Sequence, residues 1–206
     1  AFRTTDNGEK LKAYILEKTG IDIRIISGEK EAEYIYKGVT WALEPEKDVT
    51  YLIMDIGGGS TEFILFKNKD ILFKESYLLG ASRLLEKFKP DDPLSNQNIE
   101  TYYKYFDEIL GKSLMNHCSE FRPEILIGSS GFFDTLRKIC FYEFHWDTSK
   151  NVRDINCDIQ VAEFDAWYSK MLPMNLEERV NIKGMTNEGS FHDGLSNVVT
   201  TGSSSP

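Results

Sequence analysis

The chain has 206 residues, 41% of them hydrophobic, which suits one substantial domain or a domain with a fragment of another and excludes a disordered polymer. Its net charge of −9 argues against broad nucleic-acid binding, because phosphate backbones are held mainly by clustered Lys and Arg. No apolar run approaches bilayer-spanning length, and "AFRTTDNGEK" is too polar for a signal peptide, so a cytoplasmic protein without a membrane partner is expected.

The chain begins at Ala1 without a methionine, as a fragment would. In "NGEKLKAYILEKTG" Leu11, Tyr14, Ile15 and Lys18 follow helical spacing, and Gly20 sits where the helix would end. "IDIRIIS" alternates like a short strand. Ser27 then offers an N-cap for "GEKEAEYIYKGV", whose apolar face is Ala32, Ile35, Tyr36 and Val39, with Gly38 as its expected end. "TWALEPEKD" is a charged connector with a proline and is taken as a domain boundary.

Strands are predicted near 50–56, 60–67 and 70–77, joined by "GGG" and "KNKD". "GASRLLEKF" is helical, and Ser95 starts a long helix over "NQNIETYYKYFDEILGKSLMN". "PEILIGSSG" is a buried strand entering a glycine turn, followed by the helix "FFDTLRKIC". Asp165 to Leu172 and Leu176 to Val180 are predicted helical, and residues 186–206 form a loose tail. This order of elements indicates a mixed α/β domain. Cys118, Cys140 and Cys157, taken with His117 and His145, lack paired metal-ligand spacing. Buried thiols in a reducing cytosol are therefore expected rather than zinc, and no histidine is given a catalytic role.

The chemistry concentrates in "YLIMDIGGGSTEFILF". Glycine lets a ligand approach the backbone closely and tolerates positive φ. Gly57, Gly58 and Gly59 in a row can aim successive N–H groups at one anion, and Ser60 and Thr61 add hydroxyl donors. Asp55 and Glu62 flank the turn as hard oxygen ligands for a hydrated Mg²⁺. A glycine triplet alone is equally well a plain hairpin turn. The flanking Asp, Ser, Thr and Glu tip the reading to a phosphate cradle. Gly128, Ser129, Ser130 and Gly131 follow a strand and open a helix. They read equally as a second phosphate contact or as a turn needing glycine for its shape.

"DIGGGSTE" resembles a signature of the exopolyphosphatase/guanosine pentaphosphate phosphatase (Ppx/GppA) family, within the actin–sugar kinase–heat-shock ATPase superfamily. "AFRTTDNG", "IISGEKEAEYIYKGV", "LLGASRLLEKF" and "IGSSGFFDTL" resemble further family blocks in the family's order, so the likeness runs from about residue 1 to Met185. The resemblance implies a ribonuclease H-like (actin-like ATPase) domain, a mixed sheet flanked by helices, over residues 43–185. Residues 1–42 would then be the C-terminal part of a preceding similar domain.

The implied activity is phosphoanhydride hydrolysis, releasing terminal phosphate from inorganic polyphosphate or guanosine pentaphosphate with Mg²⁺. Glu31 matches the family's proposed general base; on the residues alone it reads as a solvated N-terminal glutamate favoured by the helix dipole. Arg3 matches an arginine that would grip a phosphate oxygen. Arg83 reads at least as well as a helix-surface partner of Glu86 or Glu75. Two departures stand out. The family's first phosphate loop, of the Asp-x-Gly-(Ser/Thr)-Asn type, has no match here, and Glu33 stands where an Arg is frequent, removing a positive charge near the site. The alternative reading is a module that binds phosphate or nucleotide without hydrolysing it. Oligomeric state is open, with a homodimer compatible.

Overall fold

Alternation divides the hairpin 50–67 between two faces of one sheet, and both faces are covered. The computed structural model describes residues 7–143, 156–185 and 197–201, with only the backbone described for 156, 157 and 197–201. β1 (Thr50–Ile56) and β2 (Thr61–Lys67) run antiparallel, as do β2 and β3 (Asp70–Tyr77), while β4 (Ile125–Ser129) lies parallel to β1. β5 (Asn156–Gln160) pairs parallel with β6 (Asn197–Thr201), which runs antiparallel to β4, giving the order β3-β2-β1-β4-β6-β5.

The expected loose tail is corrected over 197–201. "NVVTT" is rich in β-branched residues, which suit the pleated sheet, and it pairs on both sides there. The rest of that tail lies outside the described residues.

α1 (Gly8–Thr19) ends at Gly20, whose φ of 72° gives the left-handed cap that glycine adopts without a steric penalty. α2 (Gly28–Ala42) begins at Ser27, whose Oγ accepts the Lys30 N–H. Gly38 does not end it. The helix runs on to Ala42 because Val39, 1% exposed, is packed into the core beside Ile53 and Phe66. Between these helices 21–27 forms no regular element, so the strand expected there is not formed among the described residues.

Ala32 and Val39 of α2 share one core with Tyr51, Ile53, Ile64, Phe66 and Ile127. Across the boundary expected after residue 42, α2 and the sheet bury the same apolar surface.

The opposite sheet face is covered by helices. α3 (Ala81–Phe88), α4 (Asn96–Leu110) and α5 (Leu114–Phe121) supply Leu84, Phe106 and Leu114 against Phe63 and Tyr77. The long helix expected from Ser95 is thus two helices, broken at Gly111–Ser113; its start is capped reciprocally by Ser95 and Asn98. α6 (Gly131–Glu143) and α7 (Val161–Met171) place Phe133, Leu136, Cys140 and Phe164 against Met54, Ile56 and Ile159. α8 (Leu176–Val180) follows, capped by Asn175. Cys140 is buried, as the thiol reading expects, whereas Cys118 is only half-buried; the Cys157 side chain is outside the description.

Gly128 serves this second face. A Cβ there would lie 2.0 Å from Cδ1 of Phe133, itself 5% exposed. Gly128→Ala is expected to destabilise by about 1–3 kcal/mol through overpacking. Urea unfolding should detect the loss, and Phe133→Leu should relieve part of it in the double variant.

Candidate active site

Parity and register together build a polar row at one end of the sheet. Tyr51, Ile53 and Asp55 share the α2 face of β1, as Phe66, Ile64 and Glu62 do on β2. Register sets Ser76 opposite Glu62, Glu62 opposite Asp55, and Asp55 beside Ser129. One pleat deeper the same strands carry Ile64, Ile53 and Ile127, all 0% exposed. The row therefore sits on a fully buried apolar floor.

Glu62 is 2% exposed, and its Oε1 accepts the hydroxyls of Ser60 at 2.7 Å and Ser76 at 2.6 Å. Both bonds are charge-assisted and fix the carboxylate. Burial raises the pKa of Asp55 above its ordinary value; the Ser129 and Ser130 hydroxyls oppose this, and the charges of Glu62 and Glu31 reinforce it. Ser130 has a φ of 77° and donates its hydroxyl to the Ile56 carbonyl at 2.9 Å, which ties the β4–α6 turn to the end of β1.

Above the row lies the β1–β2 turn. The Gly57 N–H donates to the Ser60 carbonyl at 2.9 Å, leaving Gly58 and Gly59 as the tip. None of the turn glycines has a positive φ, so left-handed geometry is not why they are glycine. The close approach at the turn falls on Gly80, the residue before α3: a Cβ there would lie 2.4 Å from the backbone of Gly58 and Gly59. Among the described residues, the amides of Gly58 and Gly59 meet no acceptor.

A cavity of about 530 Å³ opens over this turn, lined by Glu31, Asp55, Gly57, Gly58, Gly59, Ser60 and Glu62. Ser76, Leu78 and Arg83 continue the lining, as do residues 23–26 and Gly28. Glu31 enters from the first turns of α2, so the sequence-derived base, cradle and carboxylate pair share one cavity.

Other expected residues fall elsewhere. Thr61 points to the opposite face, 3% exposed, and donates its hydroxyl to the Leu79 carbonyl. Gly128 has the same parity as Leu126 and faces Phe133, and neither it nor Ser129 and Ser130 line the cavity. The two serines hydrogen-bond Asp55, and Ser130 also donates to the Ile56 carbonyl. Arg3 lies outside the described residues.

Arg83 is not a partner of Glu75, whose Oε2 accepts the Tyr77 and Ser113 hydroxyls. It lines the cavity, and its Nε donates to the Gly59 carbonyl at 3.0 Å. Ser76 and Arg24 were missed. Ser76 becomes legible only once the β2–β3 register is known, and that register shifts between Leu65 and Phe66. Arg24 lies in the 21–27 stretch, whose alternation conceals its place on the cavity wall.

Glu33 also departs from expectation. It turns away from the cavity to accept Lys30 Nζ at 2.7 Å and Lys74 Nζ at 2.8 Å, so it joins α2 to β3. These two hydrogen bonds hold its pKa down at about 2, against 4.5 ordinarily. A depressed carboxylate pKa contributes stability that is present above the unfolded value and lost as pH falls through the folded one. The stability gap between wild type and Glu33→Gln should therefore close as pH drops from about 5 toward 2, measurable by urea unfolding at each pH.

Asp55 and Glu62 offer hard oxygens from adjacent strands, one at each side of the turn. Among the described residues no group of three or more His, Cys, Asp or Glu side chains could cage a metal. Such a pair suits Mg²⁺, which keeps several waters and takes one or two carboxylates plus phosphate oxygens. A cation there would also relieve the repulsion that Glu62 and Glu31 impose on Asp55.

A mixed sheet flanked by helices is the arrangement of the actin-like ATPase fold. The model of the Ppx/GppA phosphatase family matches residues 1–190, and the chain belongs to that family. It is 34% identical over 141 residues to a guanosine-5'-triphosphate,3'-diphosphate pyrophosphatase of Pseudoalteromonas translucida, covering 67% of this chain and 27% of that protein. It is 24% identical over 143 residues to exopolyphosphatase 1 of Mycobacterium bovis, covering 68% and 40%.

The crystal structure of an exopolyphosphatase from Cytophaga hutchinsonii superposes with a TM-score of 0.83 at 28% identity, covering 97% of this chain and 68% of that one. An Aquifex aeolicus family member shares the fold, with a TM-score of 0.66 at 18% identity over 97% of this chain and 67% of that one. The chain spans between 27% and 40% of the length of these two curated relatives. No described helix is long and apolar enough to cross a membrane.

Proposed function

We propose that the chain carries the machinery of a phosphoanhydride hydrolase releasing terminal phosphate from inorganic polyphosphate or guanosine pentaphosphate. The observation that carries this reading is the shared cavity. It joins two unengaged glycine amides, a fixed carboxylate pair and one further glutamate on a helix. The names of the relatives, pyrophosphatase and exopolyphosphatase, support the substrate class.

In this reading the amides of Gly58, Gly59 and Ser60 meet the oxygens of the terminal phosphoryl group, whose charge spreads over them in the transition state. Glu31 orients a water and accepts its proton as the water oxygen bonds to phosphorus and the bridging P–O bond breaks. The shortened phosphate chain departs with the bonding electron pair. Asp55 and Glu62 would hold Mg²⁺, which when bound neutralises developing charge on the phosphate oxygens. Ser60 and Ser76 keep Glu62 aimed at that position.

The test is phosphate release by the full chain from tripolyphosphate, long-chain polyphosphate and guanosine pentaphosphate in Mg²⁺. Release above the uncatalysed rate supports hydrolysis. Saturable binding by calorimetry without release overturns it and leaves a binding module.

A further inference from the structure

α3 holds the turn by its carbonyls. A helix start leaves its first N–H groups without intrahelical partners. Here the Ala81 N–H donates to the Gly57 carbonyl at 3.0 Å and the Arg83 N–H to the Gly58 carbonyl at 3.1 Å. The third carbonyl, of Gly59, takes the Arg83 side chain through Nε at 3.0 Å. In a planar trans peptide the C=O and the following N–H point in opposite directions. Anchoring these carbonyls on α3 therefore turns the amides of Gly58, Gly59 and Ser60 away from α3. The first two anchors are backbone and come with the helix. The last depends on one side chain.

We propose that Arg83 is a positioning residue of the phosphate cradle, setting the direction of the Ser60 amide through the Gly59 carbonyl. The inference rests on the phosphate reading of the turn. A guanidinium is needed because its Nε–H donates sideways from a planar group, whereas a lysine offers only a mobile terminal ammonium. Charge alone is not the function.

Calorimetry with inorganic tripolyphosphate and Mg²⁺ on the full chain, with Arg83→Lys and Arg83→Gln, tests this. The carbonyl-carbon resonance of Gly59 is followed in the ligand-free proteins. Both variants should bind about tenfold more weakly, the loss expected for one charge-assisted hydrogen bond, and Gly59 should shift before any ligand is added. Arg83→Lys keeps the charge and the aliphatic stem, so it carries the test where Arg83→Gln folds poorly.

Affinity of Arg83→Lys within twofold of wild type overturns the positioning role. So does weakened binding with an unmoved Gly59 resonance, since Arg83 would then act on the ligand directly. Wild type that fails to bind tripolyphosphate overturns the phosphate site itself, a separate outcome from either of these.

Discussion

Glu31→Gln is expected to lower phosphate release by about 10²–10⁴-fold while leaving tripolyphosphate affinity within a few-fold of wild type, the range for loss of a general base. The substitution keeps shape and removes only the proton-accepting charge. Glu31 sits one residue before Ala32, which is 0% exposed in the α2–sheet core, so its helical turn is held while the carboxylate lines the cavity. It also bears on Asp55 electrostatically, so removing its charge should not weaken binding of an anion. Parallel measurements of turnover and calorimetric affinity check this. Turnover near the wild-type value in Glu31→Gln removes the residue from the chemistry.

Gly80→Ala should be the most damaging single methyl near the site. At φ −70° and ψ 150° alanine fits the backbone without strain, and on chain entropy alone it would stabilise by about 0.4–1 kcal/mol. Steric overlap decides the sign. The new Cβ would stand 2.4 Å from Gly58 C, Gly58 O and Gly59 C, all backbone atoms that cannot rotate aside. We expect a net loss of about 1–3 kcal/mol, with the turn pushed off α3 and tripolyphosphate binding reduced by about tenfold or more. Gly58→Ala offers the contrast, since its Cβ would meet Ser82 Oγ at 3.2 Å, a side-chain atom able to move. Thermal melts and calorimetry on both variants should separate them, and equal effects would contradict this account of the turn.

Much of the site was legible in "DIGGGSTE", for a physical reason. A tight hairpin fixes which residues face each other, so placing the turn at the glycines sets Asp55 opposite Glu62 and puts both on one face. The same parity puts Thr61 and Gly128 on the other face, a consequence the residue types alone conceal. Helix starts were legible where a side chain caps them, at Ser27 and Ser95. Ends were harder: Gly38 carries the usual stop signal, but burial of Val39 overrides it.

The misses share a cause, dependence on a distant partner. "IDIRIIS" has the alternation of a strand but no neighbour to pair with among the described residues, and it lines the cavity instead. Strand 197–201 is the reverse case, five residues in a polar stretch that pair because β4 and β5 flank them. Glu33 looked like a charge defect beside the site until Lys74, 41 positions away, was placed against it. Arg83 looked like a surface residue until α3 was set against the glycine turn.

The central claim is that the turn amides receive a phosphoryl group, and ¹⁵N amide resonances of the full chain titrated with inorganic pyrophosphate and Mg²⁺ test it most directly. Saturating, coincident shifts of Gly58, Gly59 and Ser60 are the predicted result. A titration that saturates while those three signals stay in place, with the response elsewhere in the molecule, would contradict it.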